Sequence, residues 1–264
     1  MQTTNSEKPL NVLVVRPEQK AQVLTSLLNK QGIACVSQPL FDYQPLADHQ
    51  QSEKLLITAD ILIFVSVAAV EFANASTAVE NWRYQHIIAV GNATKTALKA
   101  LKALKIEKIY CPSQENSEGV LALNVLNNDL SNKNITIVRG NGGREHLAIE
   151  LTHRNANVQY LESYQRIWRT FPKDIDKQWY QQQINCIVVT STALLEKLVE
   201  LTQATSVTIK NETTKYWKNN CIWLVASKRI SKHAQQLGLA NVIQSDGAND
   251  QAISTALQAL MKKR

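Results

Sequence analysis

Six short stretches of this chain collect small hydroxyl residues, glycines and bases: Arg16-Pro17, Ser66-Val67-Ala68, Gly91-Asn92-Ala93-Thr94, Arg139 through Arg144, Thr190-Ser191-Thr192 and Ser227-Lys228-Arg229. Each closes an apolar run. In an open parallel sheet that is where backbone N–H groups and helix N-termini face a ligand. Helix N-termini, Arg and Lys all favour negative charge, so the set suits anionic oxygen atoms. Taken singly, Ser66, Ser191 and Thr94 read as simple helix caps. Taken together, the recurrence of the same residue types at the same place reads as a binding surface.

Other chemistries find less support. The turn Gly140-Asn-Gly142-Gly143-Arg144 lacks the third glycine of a dinucleotide loop, since His146 and its neighbours follow, and no phosphate-binding Gly-Lys-Ser/Thr loop occurs. His146, Glu150 and His153 share one face of an expected helix and have the spacing to hold a metal, although a solvated helix face shows the same pattern more often. His49, His86 and His233 are isolated, and no Ser-His-acid or Cys-His signature is present. A chain without obvious acid–base apparatus points to a reaction governed by holding a reactive substrate in shape.

The elements that must position these residues occur twice. Asn11-Val-Leu-Val-Val-Arg16 is echoed by Asn134-Ile-Thr-Ile-Val-Arg139, Asp60-Ile-Leu-Ile-Phe-Val-Ser66 by Asn185-Cys-Ile-Val-Val-Thr-Ser191, and Ile87-Ile-Ala-Val-Gly91 by Ile222-Trp-Leu-Val-Ala226. A repeat this long marks a duplicated structural unit. The later copy carries extra residues in the polar stretch Thr202 to Asn220, expected as a longer loop. Val- and Ile-rich runs predict strands at about 11–16, 33–37, 60–65, 86–90, 107–110, 134–138, 157–162, 185–190, 221–225 and 241–244, with helix-period segments between them. Pro17 is expected at a first helical position, with Ala21, Leu24, Leu27 and Leu28 on one face and Gly32 as a stop. Ala97, Leu98, Leu101 and Leu104 form a second stripe and Ile253, Ala256, Leu257 and Leu260 a late one, with Ser117 and Asn249 as expected N-caps. Pro39 to Pro45 and Tyr160 to Trp168 are extended in character and are expected to connect domains. Two related α/β units facing one another would form one cleft.

Composition narrows the class. A chain of 264 residues with 44% hydrophobic content can bury a sizeable core. The polar N-terminus and the lack of a long apolar run suggest neither export nor membrane insertion. Cys35, Cys111, Cys186 and Cys221 have no paired spacing and read as reduced residues, so the cytoplasm is the expected location. The net charge of +7 favours an anionic partner or reflects a merely basic surface. No nucleic-acid-binding signature is visible.

The doubled architecture, the opening Val-Leu-Val-Val-Arg16-Pro17, the strand ends Phe64-Val-Ser66 and Ala89-Val-Gly91-Asn-Ala-Thr94, the turn Arg139-Gly-Asn-Gly-Gly-Arg144-Glu145 and the element Tyr164-Gln-Arg166 together resemble the uroporphyrinogen-III synthase family. The likeness runs over essentially the whole chain and rests on the order and spacing of the motifs. It implies an α/β fold of two similar domains, each a five-stranded parallel sheet flanked by helices, joined by a two-stranded hinge ladder. Residues 1–38 and 168–264 would form one discontinuous domain, 48–158 the other, and 39–47 and 159–167 the linker strands. The implied activity is that of a cyclising hydro-lyase in tetrapyrrole (heme) biosynthesis. It dehydrates and closes hydroxymethylbilane with inversion of ring D, giving uroporphyrinogen III without metal or cofactor. The substrate bears an acetate and a propionate on every ring, which matches a basic site.

By the same resemblance Tyr164 corresponds to the tyrosine thought to assist departure of the substrate hydroxyl, although it also reads as a ladder tyrosine packed between domains. Arg16, Ser66, Gly91, Asn92, Thr94, Arg139, Gly142, Arg144, Ser191 and Lys228 are the expected substrate contacts. The family picture adds a transient hand-over from hydroxymethylbilane synthase, no nucleic acid or membrane partner, and a monomer by default. The chain departs from the family pattern at Ala226-Ser-Lys-Arg229, where a glycine-rich turn is usual, and at Thr190-Ser-Thr-Ala193, which lacks a proline. There Lys228 or Arg229 is expected to reach inward instead. A hinged, two-lobed binding protein without turnover would use the same loops.

Overall fold

The alternation of apolar runs and amphipathic segments produces eleven strands in the described residues of the computed structural model, which are 9–46, 49–104, 108–127, 129–143, 145–203 and 212–262. In chain order they are β1 (Asn11–Val14), β2 (Ala34–Ser37), β3 (Phe41–Pro45), β4 (Ile61–Phe64), β5 (His86–Ala89), β6 (Ile109–Tyr110), β7 (Asn134–Gly140), β8 (Asn157–Trp168), β9 (Cys186–Val189), β10 (Ile222–Val225) and β11 (Val242–Gln244). The chain divides into two compact units, one formed by the residues up to Asp42 together with those from Trp168 onward, the other by Tyr43–Ile167.

The first unit holds a five-stranded sheet in the order β11-β10-β9-β1-β2, with every pairing parallel. Parallel strands connected by crossover helices are covered on both faces, so successive residues must all be apolar. Val12, Val14, Cys186, Val188, Ile222 and Leu224 pack on one face against Ala21, Leu24 and Leu28 of helix Glu18–Lys30 and Ile253 and Leu257 of helix Asp250–Met261. The intervening Leu13, Ile187, Val189, Trp223 and Val225 are equally buried.

In the second unit the order is β3-β8-β7-β4-β5-β6. The five strands from β8 to β6 are parallel. Leu62, Phe64, Ile87, Ala89, Val138 and Leu161 meet Leu56, Ala69, Val70, Ala73 and Leu98 on one face. Ile61, Ile63, Ile88, Ile135 and Ile137 meet Val120, Leu126, Leu147 and Leu151 on the other. Each such large side chain, once buried, stabilises its unit by about 1.5–3 kcal/mol.

Strand β3 lies antiparallel against the far end of β8, with Leu46 N–H donating to Ser163 O at 3.2 Å and Arg169 N–H to Leu40 O at 2.9 Å. The extended segment after residue 157 is therefore one twelve-residue strand rather than a sheet strand followed by a separate connector. It has a parallel partner at its start and an antiparallel one at its end, and nothing in its sequence marks the change. The other connector stays distinct, because Gln38, Pro39 and Leu40 separate β2 from β3.

Three local expectations shift. Pro17 is the N-cap residue of its helix and not its first turn, with extended backbone at φ −50° and ψ 146°. Asn116, not Ser117, caps helix Ser117–Leu121, because its Oδ1 accepts from Gly119 N–H at 2.8 Å. Within the stretch expected as a loop, Glu212–Asn219 forms a helix anchored by the buried Trp217; residues 204–211 lie outside the described residues.

Candidate functional site

Because the five parallel strands of each sheet run the same way, their carboxyl ends lie along one edge, and the loops singled out by residue type gather there. In the second unit β4 ends at Phe64, and Ser66 follows in extended conformation as the N-cap of helix Val67–Ser76. Ala69 N–H donates to Ser66 Oγ at 3.1 Å. The same oxygen lies 3.1 Å from the hydroxyl of Tyr164. Thus Ser66 is a cap, and it is also a partner of the tyrosine.

Tyr164 reaches this position through an irregularity in β8. The register with β7 shifts between Arg139 and Gly140, so that Gly140 faces Tyr164, and Asn141 N–H donates to Tyr164 O at 2.8 Å. Tyr43 of β3 meets the ring edge-on at 4.8 Å between centroids, and Phe72 stacks on it at 5.6 Å. Burial pushes the Tyr43 phenol up from its ordinary value, an effect that the Tyr164 side chain reinforces and a hydrogen bond with Arg166 offsets in part.

Beside this cluster, Glu162 Oε1 accepts from Arg139 Nη2 and from Gly142 N–H, each at 3.0 Å. The Arg139 guanidinium lies 3.5 Å above the Tyr160 ring, a cation–π arrangement. Its Nε and Nη1 are buried without a hydrogen-bond partner among the described residues. Gly142 and Gly143 turn the chain with φ of 69° and 124°, a region L side chains rarely enter. Arg144 lies outside the described residues.

The Gly91 loop differs from expectation in what faces it. Gly91 caps helix Asn92–Ala100 without a side chain, and Asn92 Nδ2 donates to Glu115 Oε1 at 2.8 Å. The Glu115 carboxylate stands where a side chain on Gly91 would be. An acid of this chain therefore sits over that helix N-terminus, while Thr94 is buried at 4% exposure.

In the first unit Ser191 is the repeat counterpart of Ser66, and Ser227 caps the helix that follows β10, in the counterpart of the Gly91 loop. Leu194 N–H donates to Ser191 Oγ at 3.2 Å, and Ile230 N–H to Ser227 Oγ at 3.4 Å. Lys228 and Arg229 are exposed in the first turn of helix Lys228–Gln236, with no acidic residue beside them there. Two cations at the positive end of a helix oppose its dipole and concentrate positive potential at that edge. Arg16 behaves differently. Only 6% exposed, it donates to the Asp250 carboxylate and to the Ala248 carbonyl, bracing the start of helix Asp250–Met261. Burial lowers its guanidinium from the ordinary value, and Asp250 partly restores it.

His153 Nδ1 stands 3.8 Å from Glu150 Oε1, and among the described residues no three His, Cys, Asp or Glu side chains gather as metal ligands would. Tyr43, Phe72, Glu115 and Glu162 were not singled out by residue type. Only the extended, aromatic character of the connector around Tyr43 pointed their way.

The family model described as Uroporphyrinogen-III synthase HemD matches residues 22–254. The chain is 31% identical over 259 residues to uroporphyrinogen-III synthase of Escherichia coli, covering 94% of this chain and 100% of that protein. It is likewise 31% identical over 262 residues to the Salmonella typhimurium protein of the same name, with 94% and 100% covered. Among solved structures, a mutant uroporphyrinogen III synthase of Thermus thermophilus aligns with a TM-score of 0.60 at 12% identity, over 96% of this chain and 98% of that one. The Helicobacter pylori uroporphyrinogen-III synthetase gives 0.59 at 11%, over 95% and 99%. These two likenesses are of fold.

Proposed function

The chain belongs to the uroporphyrinogen-III synthase family, and on that footing we propose that it is a cyclising hydro-lyase converting hydroxymethylbilane to uroporphyrinogen III. In this reading the terminal hydroxyl of the linear tetrapyrrole departs to leave an azafulvenium. The substituted carbon of ring D attacks to give a spiro intermediate, which fragments and recloses with ring D inverted. The balance is the loss of one water. Unassisted closure gives the symmetric type I isomer, so the protein's task is to hold the conformation that leads to type III and to help the hydroxyl leave.

Tyr164 supplies that help, its phenol O–H donating to the departing oxygen. The observation that supports this best is its setting: a tyrosine hydroxyl at the carboxyl edge of a parallel sheet, 3.1 Å from Ser66, against Gly140 and between Tyr43 and Phe72. Arg139, Gly142, Ser191 and Lys228 are the proposed contacts for the substrate's acetates and propionates, with Asn92 reaching them once Glu115 gives way. Arg16 serves such contacts at one remove, as a brace. A cytoplasmic location suits four cysteines that form no disulfide. Receipt of the unstable bilane directly from hydroxymethylbilane synthase would limit its spontaneous closure.

The test is to supply freshly generated hydroxymethylbilane to the purified protein, oxidise the products and measure type III against type I uroporphyrin by chromatography. Predominant type III is the expected outcome. Type I alone, at the spontaneous rate, would sink the assignment and leave a binding protein.

A further inference from the structure

Gly140 is described by the turn it opens, yet its most specific contact is with a residue of the next strand. A Cβ built on Gly140 would stand 2.6 Å from Cε2 and 2.7 Å from Cζ of Tyr164. Carbon atoms in contact prefer about 3.5–4.0 Å, so the ring would have to retreat by roughly 1 Å. The backbone of Gly140 continues β7 and is not among the positive-φ positions, so alanine is conformationally admissible there. What forbids a side chain is the phenol ring.

The other sides of that ring are also occupied. Phe72 covers a face, Tyr43 an edge, and Ser66 Oγ the hydroxyl. One lone pair of Ser66 Oγ is already taken by Ala69 N–H. Its second lone pair and its own proton both remain for the Tyr164 hydroxyl, so either oxygen can donate in this bond. The position of the ring over β7 thus decides whether this hydrogen bond exists.

We propose that Gly140 is a positioning residue for Tyr164: its missing side chain seats the phenol ring on β7 at the height that lets Ser66 hold the hydroxyl. This rests on the reading of Tyr164 as donor to the departing hydroxyl.

The experiment is a double-mutant cycle on kcat and KM for type III formation with wild-type protein, Gly140→Ala, Tyr164→Phe and the pair. Tyr164→Phe is expected to lower kcat about 10²-fold. Gly140→Ala is expected to lower kcat about 10- to 100-fold with KM within about twofold, because a misplacement of about 1 Å costs that much. In the pair, Gly140→Ala adds nothing to Tyr164→Phe. Losses that multiply in the pair would overturn the proposal and leave the role of Tyr164 standing. Wild-type kcat in Tyr164→Phe would overturn that role, and the proposal with it. Should Gly140→Ala alone not fold, Gly140→Ala/Tyr164→Ala removes the ring that the methyl meets. Recovery of a folded protein supports the seat, and continued failure counts against it.

Discussion

Asp42 shows how a single pair near the end of a connector acts on stability. Arg169 holds its carboxylate through two hydrogen bonds, Nε to Oδ2 at 2.8 Å and Nη2 to Oδ1 at 2.7 Å. These bonds keep the Asp42 carboxyl below its usual value. A depressed carboxylate contributes stability that is fully present above its unfolded pKa and is lost as pH falls through the folded one. Asp42→Asn is therefore expected to lower the unfolding midpoint at neutral pH. The difference from wild type should vanish on acidification below the ordinary carboxylate range, which thermal melts across pH will show. At this scale the sequence identified types well and partners poorly. Ser66 and Ser191 were legible as caps because a cap acts within three residues. Glu162 under Arg139, Glu115 over Gly91 and Asp250 beside Arg16 were not, since each comes from a separate element.

The element with the least legible sequence is helix Glu212–Asn219, whose polar composition reads as loop. It is held by its two aromatic residues. Trp217 is 1% exposed and meets Trp179 edge-on at 6.4 Å, while Tyr216 Oη donates to Ile184 O at 2.8 Å. Trp223 Nε1 also donates to Trp217 O at 2.8 Å, tying the helix to β10. Trp217→Ala is expected to destabilise the protein by about 3–5 kcal/mol, the usual cost of emptying a large aromatic site. Denaturant unfolding would measure it, and a change under 1 kcal/mol, on the order of a surface substitution, would show that the helix contributes little. The strands were far easier to read. Fully buried parallel strands must be apolar at every position, and β4, β9 and β10 are buried throughout. Caps were harder by one residue, as at Asn116, because adjacent Asn and Ser offer the same acceptor.

For the whole molecule the governing quantity is charge. Toward the proposed substrate, with an acetate and a propionate on every ring, a protein of net charge +7 is expected to gain much of its affinity from screened electrostatics. KM for hydroxymethylbilane is expected to rise severalfold between about 0.05 M and about 0.5 M salt, where the Debye length shortens from roughly 14 Å to roughly 4 Å. At saturating substrate the ratio of type III to type I should hold, because shape and not charge sets the isomer. A KM indifferent to salt would place the recognition in neutral hydrogen bonds.

Periodicity and spacing within the chain determined the ten parallel strands, their division into two sets of five, the loops that close them and the family they resemble. Those features follow from interactions among residues close in sequence: a period of 2 or 3.6, a cap three residues away, a strand buried on both faces. The tertiary structure alone decided that β8 is one unbroken strand carrying β3 at its end, that Arg16 is spent on Asp250, and that Gly140, Tyr43, Phe72 and Ser66 enclose Tyr164. These depend on strand register and on the packing of separate elements. A shift of one residue between β7 and β8 would change every one of the Tyr164 contacts while leaving the local pattern of the sequence untouched.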